Sequence, residues 1–212
     1  MKKPLIIIGA GNVGGYLANN FSDFSNYEIF GILDDDFSKH GKNFFGFPVI
    51  GSIDKLFEIK TIDLSVVICI NKPIIKKNIY ERIKNLPINF PSFISPYSWI
   101  SKRCEVGKGN LIYPGVSINY ESILGDFVSI NMNCALGHNA QIGEFSSLAP
   151  GVNIGGNNFI GRCVEIGIGA STKQGVKIGD NSIVGGQAMV TKSFPENSVL
   201  VGVPAKNIGC NI

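Results

Sequence analysis

The sequence predicts two fold classes in one chain: an α/β Rossmann-like half domain, followed by an all-β left-handed parallel β-helix. The main observation is a period of six, because sixteen of the seventeen positions reached by steps of six from Ile94 to Val190 are aliphatic. The second observation is a glycine-rich turn, Gly9–Gly14, which fits the pattern GxGxxG directly after a short apolar run. A fixed repeat indicates a solenoid, and a glycine turn between a strand and a helix is typical of nucleotide-binding folds.

Residues 1–92 are predicted to form the nucleotide-binding half domain. The expected elements alternate between strand and helix: strands over 5–8, 28–33 and 64–70, a helix from the turn to about Phe21, and a helix near 74–84. The glycines would let the backbone approach a phosphate at the N-terminus of the first helix. Asp34 follows Gly14 at the spacing, about 20 residues, at which an acidic side chain can bind ribose hydroxyls.

The size of this region bears on the kind of nucleotide that it would bind. Taken alone, the turn and Asp34 indicate NAD. Only about 90 residues precede the repeats, however, so the second mononucleotide-binding half of a full Rossmann fold is missing. A nucleotide with a sugar attached fits the half-sized site better, and a tight turn that binds nothing is the simpler alternative.

Residues 93–195 are predicted to form the β-helix, with a C-terminal tail over 196–212. Three hexapeptides would make one triangular coil, with the aliphatic side chain pointing inward. The next position is often glycine, which we expect to adopt the unusual backbone angles of the corners, and the fifth position is mostly small. Coils would stack at about 4.8 Å, so residues that differ by 18 in number lie above one another. An ordinary β-sandwich would instead show period-two alternation with irregular loops.

Composition and charge exclude several classes of protein. The formal charge of +3 comes without a basic cluster, so no nucleic-acid partner is expected. No apolar run approaches the length of about 18 residues that indicates a membrane-spanning helix, so no membrane span is expected. The five cysteines form no CxxC pair and no signal peptide precedes them, which predicts free thiols in a reducing cytoplasm.

Four segments, taken in order, resemble one bacterial family of sugar acyltransferases. They are the Gly9–Gly14 turn, Asp34-Asp35, the run Gly137–Phe145 with the sequence GHNAQIGEF, and the ending Val201–Lys206 with the sequence VGVPAK. The family includes sialic-acid O-acetyltransferases and the N-acetyltransferases of UDP- or GDP-linked 4-amino sugars of the bacillosamine and perosamine type. The resemblance covers nearly the whole chain, whereas the hexapeptides alone would indicate only a wider superfamily.

The resemblance implies two binding regions and an assembly. The N-terminal domain would hold a nucleotide-sugar through Gly11, Asn12, Val13, Asp34, Asp35 and Asn71. Acetyl-CoA, as co-substrate and without a metal, would lie between neighbouring β-helices of a homotrimer, beside Ser147, Gly156, Ile168 and Gly186. Relatives commonly carry a histidine in the turn where this chain has Asn12-Val13, which leaves the base and the sugar open.

The two histidines are predicted to differ in role. His40 lies in the loop region of the first domain and is expected to be solvated. His138 occupies the third position of its hexapeptide and should point outward. By the resemblance, His138 is the general base that takes a proton from the acceptor as the acceptor attacks the thioester. Gly156, three hexapeptides later, should stack one coil away. By the same resemblance, its N–H would stabilise the oxyanion.

The residue after His138 departs from the family. Relatives commonly place Glu or Asp there, whereas this chain has Asn139, which could orient the ring as part of the catalytic pair without adding charge. Glu121, three hexapeptides before Asn139, should stack one coil away and could supply the carboxylate. Because a hydroxyl acceptor needs a stronger base than an amine, this pair favours N-transfer. The expected enzyme is therefore an acetyl-CoA-dependent N-acetyltransferase of a nucleotide-linked amino sugar, acting in surface polysaccharide biosynthesis.

Other functions stay open or fail on chemical grounds. An O-acetyltransferase of a sugar such as sialic acid, transfer of another acyl group, a non-catalytic nucleotide-sugar-binding trimer and a nicotinamide-binding regulator remain alternatives. A zinc-dependent carbonic anhydrase needs three histidines, and the predicted β-helix contains one. A covalent acyl-enzyme on Cys134 would need a reactive thiol, but the fifth position of its hexapeptide predicts a buried and inert one.

Overall fold

The chain divides into two compact units in the computed structural model, which describes residues 2–20, 23–24 and 26–211. The first unit comprises Met1–Asn71 and Ile75–Pro91, and the second comprises Lys72–Ile74 and Ser92–Ile212. Within the described ranges, no helix is both long and apolar enough to cross a membrane.

The first unit is built on a five-stranded sheet, and the α/β prediction is confirmed. Its elements are β1 (Lys3–Ile8), α1 (Asn12–Asn19), β2 (Tyr27–Leu33), β3 (Asn43–Phe44), β4 (Phe47–Gly51), β5 (Ser65–Ile68) and, from Ile75 onward, α2 (Pro73–Ile83), with 3-10 helices over Phe37–Lys39 and Ile53–Phe57. The strand order is β3–β4–β2–β1–β5; β3 joins β4 antiparallel and the other pairs are parallel. The end that we predicted for the first helix, Phe21, lies outside the described residues.

The strand β1 and the turn after it are tightly packed. Leu5–Ile8 are at most 1% exposed, as is typical of a central parallel strand covered on both faces. The chain then reverses into α1, and a Cβ on Gly14 would collide with the carbonyl oxygen of Gly9. Packing therefore requires glycine at position 14, independently of any phosphate that the turn could bind.

The second unit is a parallel β-helix, which confirms the predicted left-handed β-helix fold; its short strands form three sheets, one on each side of a triangular coil. The first sheet contains β6 (Phe93–Ile94), β9 (Leu111–Ile112), β12 (Ser129–Ile130), β15 (Ser147–Leu148), β18 (Glu165–Ile166), β21 (Ile183–Val184), β23 (Ser198–Val201) and β24 (Lys206–Cys210). The second contains β7 (Trp99–Ile100), β10 (Ser117–Ile118), β13 (Ala135–Leu136), β16 (Asn153–Ile154), β19 (Ser171–Thr172) and β22 (Met189–Val190). The third contains β8 (Glu105–Val106), β11 (Ile123–Leu124), β14 (Gln141–Ile142), β17 (Phe159–Ile160) and β20 (Lys177–Ile178).

Between β7 and β22, each strand of the β-helix pairs with strands three hexapeptides away along the chain, as the repeat predicts. Ser117, for example, pairs with Trp99 on one side and with Ala135 on the other. The aliphatic positions from Ile112 to Val190 are buried and form one continuous core. The first positions are less enclosed, with Ile94 37% exposed, because a terminal coil stacks on a neighbouring coil on one side only.

The backbone angles at the corners correct one expectation. Positive φ occurs at the fourth position of every hexapeptide from Gly109 to Gln187, and most residues there are not glycine. The glycines at the second position of the hexapeptides do not have positive φ, so unusual backbone angles do not explain why glycine occurs there. A Cβ on Gly143 would lie 2.5 Å from the carbonyl carbon of Gly161 in the next coil. Close stacking of the coils is therefore the reason for glycine at that position.

The single non-aliphatic residue of the series, Thr172, belongs to a buried polar network. Its Oγ1 accepts hydrogen bonds from the N–H of Gly155 at 2.9 Å and from Nδ2 of Asn158 at 2.5 Å. Oδ1 of Asn158 in turn accepts from the N–H of Val176. Thr172 and Asn158 are both buried. The hydroxyl is therefore structural, because an aliphatic side chain would leave the N–H of Gly155 and the buried Nδ2 of Asn158 without an acceptor.

The residues predicted as a C-terminal tail continue the first sheet. β23 pairs in parallel with β21, and β24 returns antiparallel beside β23. β24 is exposed along its whole length and forms the edge of this sheet.

Candidate functional site

His138 lies in the corner between the second and third sheets, in the bend that joins β13 to β14. The repeat places Tyr120 at the same corner one coil before it and Gly156 one coil after it. The ring of Tyr120 stacks on the imidazole, with the two centroids 5.4 Å apart and the planes 10° from parallel. His138 is half-buried, so its ring is held by neighbours while part of it stays accessible.

The lack of a side chain at Gly156 makes room for the imidazole. A Cβ on Gly156 would lie 2.8 Å from Nε2 of His138 and 3.0 Å from Cε1. The Nε2 edge of the ring therefore lies against the backbone of the next coil. Across the residues that the structure describes, the N–H of Gly156 donates to no other residue, which leaves it available to a substrate oxygen.

A chain of hydrogen bonds leads from His138 to a carboxylate. Nδ1 of His138 lies 2.9 Å from Oδ1 of Asn139, and Nδ2 of Asn139 donates to Oε2 of Glu121 at 3.0 Å. Oε1 of Glu121 lies 3.4 Å from Nη1 of Arg103. Because Arg103, Glu121 and Asn139 occupy the same position in three successive coils, this column connects a charge pair to the imidazole through an amide.

An open groove of about 400 Å³ lies on the second sheet, beside the corner that carries His138. Gly137 and Gly155, which line it, directly precede His138 and Gly156. The rest of the lining is mostly small or polar and carries no charge: Trp99, Ser117, Asn119, Ala135, Leu136, Asn153, Ile154, Ser171 and Thr172. This second-sheet groove suits an uncharged, extended part of a ligand whose reacting end reaches His138.

The four residues expected beside acetyl-CoA lie at three places in the β-helix. Gly156 shares the corner of His138, whereas Ile168 and Gly186 stack one coil apart in the corner between the first and second sheets. Ile168 is exposed, and Ser147 lies in β15 of the first sheet and is buried. The structure thus brings Gly156 next to His138, at the edge of the second sheet where its strands end. Ile168 and Gly186 lie at the opposite edge, where the strands of the second sheet begin.

In the first unit, Asp34 binds the backbone of the glycine turn. Its Oδ2 accepts from the N–H of Ala10 at 2.8 Å and from Nζ of Lys39 at 2.9 Å, and its Oδ1 accepts from the N–H of Asp36 at 2.9 Å. Burial alone would raise the pKa of Asp34, but the hydrogen bonds from Lys39, Asp36 and Ala10 outweigh it and hold the pKa below its ordinary value of 3.8. The carboxylate is therefore charged and already paired with protein donors.

Asp35 is engaged in the same way. Its Oδ1 accepts from the N–H of Ile53 at 3.0 Å, and its Oδ2 pairs with Nη1 of Arg82 at 2.7 Å. Arg82 also pairs with Asp54 at 2.6 Å. Asp35 therefore connects the end of β2 to the 3-10 helix at Ile53 and to α2.

The other expected substrate contacts lie around the beginning of α1. Gly11 is the N-cap, no side chain caps this end of the helix, and the first turn contains no acidic residue, so an anion could meet the backbone N–H groups there. Gly11 and Asn12 are exposed and Val13 is half-buried. Asn71 is exposed beyond β5, and because β5 is parallel to β1 it lies at the same edge of the sheet as the turn.

His40 corrects a further expectation, since it is not simply solvated. It is half-buried, and its Nε2 lies 2.7 Å from the backbone carbonyl oxygen of Asp34. A carbonyl only accepts, so Nε2 carries the proton. His40 therefore helps to hold the loop after β2.

The thiol of Cys134 is unsuited to nucleophilic catalysis. Cys134 is fully buried, burial raises its pKa to about 11, and its Sγ donates to the carbonyl oxygen of Ala149 at 3.1 Å. A thiolate, which is the reactive form, is therefore scarce near neutral pH. Among the residues described, no group of three or more His, Cys, Asp or Glu could hold a metal ion.

Sequence reasoning missed several residues of these clusters, among them Tyr120, Arg103, Lys39 and Arg82. A step of one coil back from His138 would have found Tyr120, and the same step back from Glu121 would have found Arg103. No comparable rule points to Lys39, because the loop after β2 contains no repeat.

Comparison with known proteins gives the same organisation. Residues 4–83 match the family described as the PglD N-terminal domain. The acetyltransferase domain of PglB from Neisseria gonorrhoeae, in complex with acetyl coenzyme A, is 26% identical, with a TM-score of 0.89 over 98% of this chain and 100% of that one. PerB from Caulobacter crescentus, in complex with CoA and GDP-perosamine, is 25% identical, with a TM-score of 0.77 over 97% of each chain. WeeI from Acinetobacter baumannii, 24% identical with a TM-score of 0.89 over 98% of this chain and 100% of that one, shares the fold.

Proposed function

We propose that the chain is a hexapeptide-repeat sugar N-acetyltransferase, which transfers an acetyl group from acetyl-CoA to the amine of a nucleotide-linked amino sugar. The match of residues 4–83 to the PglD N-terminal domain and the similarity of the whole fold to the PglB acetyltransferase domain support this assignment. The observation that carries the proposal is the placement of Nε2 of His138 against Gly156 of the next coil. The relatives support both substrate classes, because the PglB domain was solved with acetyl coenzyme A and PerB with CoA and GDP-perosamine.

The reaction follows from the groups in the corner. Nε2 of His138 accepts a proton from the sugar amine while the amine nitrogen attacks the carbonyl carbon of the thioester. The N–H of Gly156 donates to the carbonyl oxygen as that oxygen becomes negative. The C–S bond then breaks, the departing CoA sulfur takes the proton, and the products are an acetamido sugar and CoA. Holding both substrates at one corner supplies much of the acceleration.

The first unit is proposed to hold the nucleotide end of the acceptor. The exposed backbone at Gly11 and Asn12, with Val13 and Asn71 at the same edge of the sheet, supports direct contacts there. Asp34 and Asp35 have a different role in this proposal. Because their carboxylates already accept protein donors, they shape the turn and the loop around the nucleotide.

We propose assembly as a homotrimer, with acetyl-CoA between neighbouring protomers. His138 and Gly156 lie at one edge of the second sheet, and Ile168 and Gly186 lie at the other. One acetyl-CoA would meet both pairs where an edge of one protomer faces the opposite edge of the next, and a closed threefold ring provides three such clefts. The second-sheet groove would then form one wall of each cleft.

The proposal places this reaction in the cytoplasm and its product in surface polysaccharide biosynthesis. Acetyl-CoA and nucleotide-linked sugars are cytoplasmic metabolites, and glycosyltransferases use nucleotide-linked sugars as donors. All five cysteines are free thiols, which accords with a reducing compartment.

A CoA-release assay tests the proposed function. The protein is incubated with acetyl-CoA and a panel of UDP-, GDP- and dTDP-linked 4-amino sugars, each matched with its 4-hydroxy counterpart. We expect CoA release with at least one amino sugar and only background release with its counterpart. In His138→Asn, kcat should fall by about 10²–10⁴-fold while the melting temperature is kept. Release that required a hydroxyl sugar, or full activity in His138→Asn, would contradict the proposal.

A further inference from the structure

The group that contacts Nδ1 of His138 is an amide, and an amide can face a ring in two ways. With Oδ1 of Asn139 toward the ring, Nδ1 donates, and the neutral imidazole keeps its lone pair on Nε2. With Nδ2 toward the ring, Nδ1 must accept, so Nε2 carries the proton and cannot act as a base. The orientation of one side chain therefore decides whether the edge of the ring facing Gly156 is basic.

Glu121 fixes that orientation. A carboxylate can only accept, so the atom of Asn139 that lies 3.0 Å from Oε2 of Glu121 has to be Nδ2. The opposite end of the planar amide, Oδ1, then faces Nδ1 of His138 at 2.9 Å. The choice of tautomer is in this way transmitted from a carboxylate in one coil to an imidazole in the next.

The surroundings of this column hold its members in place. Glu121 and Asn139 share the same corner conformation, with φ of 55° and 57°, so their side chains leave the backbone in the same direction. Arg103 approaches the other carboxylate oxygen of Glu121 at 3.4 Å. Tyr120, stacked on the imidazole, restricts tilting of the His138 ring.

We propose that Glu121 is a positioning residue: through Asn139 it selects the tautomer in which Nε2 of His138 is free to accept a proton. The catalytic consequence rests on the proposed function, whereas the tautomer is a property of the free protein.

Three variants test the proposal by activity. In Glu121→Gln, whose side chain can also donate, the amide of Asn139 loses its fixed orientation, and kcat should fall by about tenfold or more while KM for both substrates is kept. In the double variant Glu121→Gln with Asn139→Asp, a carboxylate accepts directly from Nδ1, and kcat should return to within about threefold of the wild type. Aspartate tolerates the positive φ at position 139. The control, Glu196→Gln, removes an exposed carboxylate elsewhere in the β-helix unit and should leave kcat unchanged.

A spectroscopic measurement separates this role from a structural one. The ¹⁵N spectrum of His138, recorded without substrates at a pH where the ring is neutral, should show a protonated Nδ1 in the wild type and in the double variant. In Glu121→Gln it should shift toward a protonated Nε2. The proposal would be overturned if Glu121→Gln kept both the Nδ1–H tautomer and kcat. It would also be overturned if the double variant restored neither the Nδ1–H tautomer nor kcat. Because the spectrum needs no turnover, it decides the role of Glu121 even if the sugar panel fails.

Discussion

The two units build their candidate sites in different ways. In the β-helix, neighbours follow from a step of one coil, so Tyr120, His138 and Gly156 form a column that can be written directly from the sequence. In the α/β unit, the motif predicts the turn but not the partners of the acidic residues, and Asp34 and Asp35 are both bound to protein donors. A repeat specifies which side chains meet, whereas a nucleotide-binding turn specifies mainly a backbone path.

Glycine shows the same contrast. In the β-helix, Gly143 is a contact point between coils, and its role follows from its place in the repeat. In the turn, the pattern GxGxxG contains glycines of two kinds. Gly14 is required by packing against Gly9, whereas a Cβ on Gly11 would meet nothing within 4 Å, which leaves that position open to a ligand.

The largest effect on stability should come from a methyl group between two coils. In Gly143→Ala the new Cβ would lie 2.5–2.7 Å from backbone atoms of Gly161 and Arg162, and a backbone ladder cannot move aside locally. We expect the free energy of unfolding to fall by about 3 kcal/mol or more. The control Gly209→Ala, whose Cβ meets nothing within 4 Å, should stay within about 0.5 kcal/mol. Chemical denaturation measures both, and equal effects would show that coil contacts do not explain the second-position glycines.

A smaller loss of stability should come from replacing Thr172, the one residue of the repeat series that is not aliphatic, by valine. Thr172→Val completes the aliphatic series but leaves the N–H of Gly155 and Nδ2 of Asn158 without their acceptor. We expect a loss of about 2 kcal/mol in the free energy of unfolding. The matched variant Thr172→Ser keeps the hydroxyl and loses a methyl group, which should cost about 1 kcal/mol or less. If valine proved as stable as threonine, the buried polar network would be irrelevant to the fold.

The smallest effect should come from the α/β unit and depend on pH. Asp34→Asn removes the charge that pairs with Lys39, and at pH 7 it should lower the free energy of unfolding by about 1 kcal/mol. Because the folded pKa of Asp34 lies below its ordinary value of 3.8, the charge stabilises the protein above that value, and this contribution disappears as pH falls through the folded pKa.

Denaturation of the wild type and Asp34→Asn at pH 7 and at about pH 3 should therefore show a difference that shrinks in acid. Asp63→Asn is the control, because Asp63 is exposed and asparagine accepts its positive φ. A difference for Asp34→Asn that stayed constant or grew in acid would mean that its charge does not stabilise the turn.

The parts of the structure that could be predicted from the sequence are those that depend only on the six-residue repeat. The buried series from Ile112 to Val190 and the approach of Gly156 to His138 both follow from the spacing. The hydrogen-bond route from Glu121 does not, since it depends on side-chain torsions that a repeat leaves free. The hairpin of β3 and β4 was also missed, because such short strands carry no periodic signal.

The most direct test of the account is to mix two inactive variants that affect opposite edges of the second sheet. His138→Asn removes the base at one edge, and Gly186→Phe blocks the other edge, where position 186 is exposed. If each site combines one edge from each of two protomers, each variant alone should be inactive. In trimers assembled from equal amounts of the two variants, about a quarter of the sites combine two intact edges. The mixture should therefore release CoA at about a quarter of the wild-type rate. A mixture no more active than its components, or full activity in Gly186→Phe alone, would contradict a site shared between neighbouring β-helices.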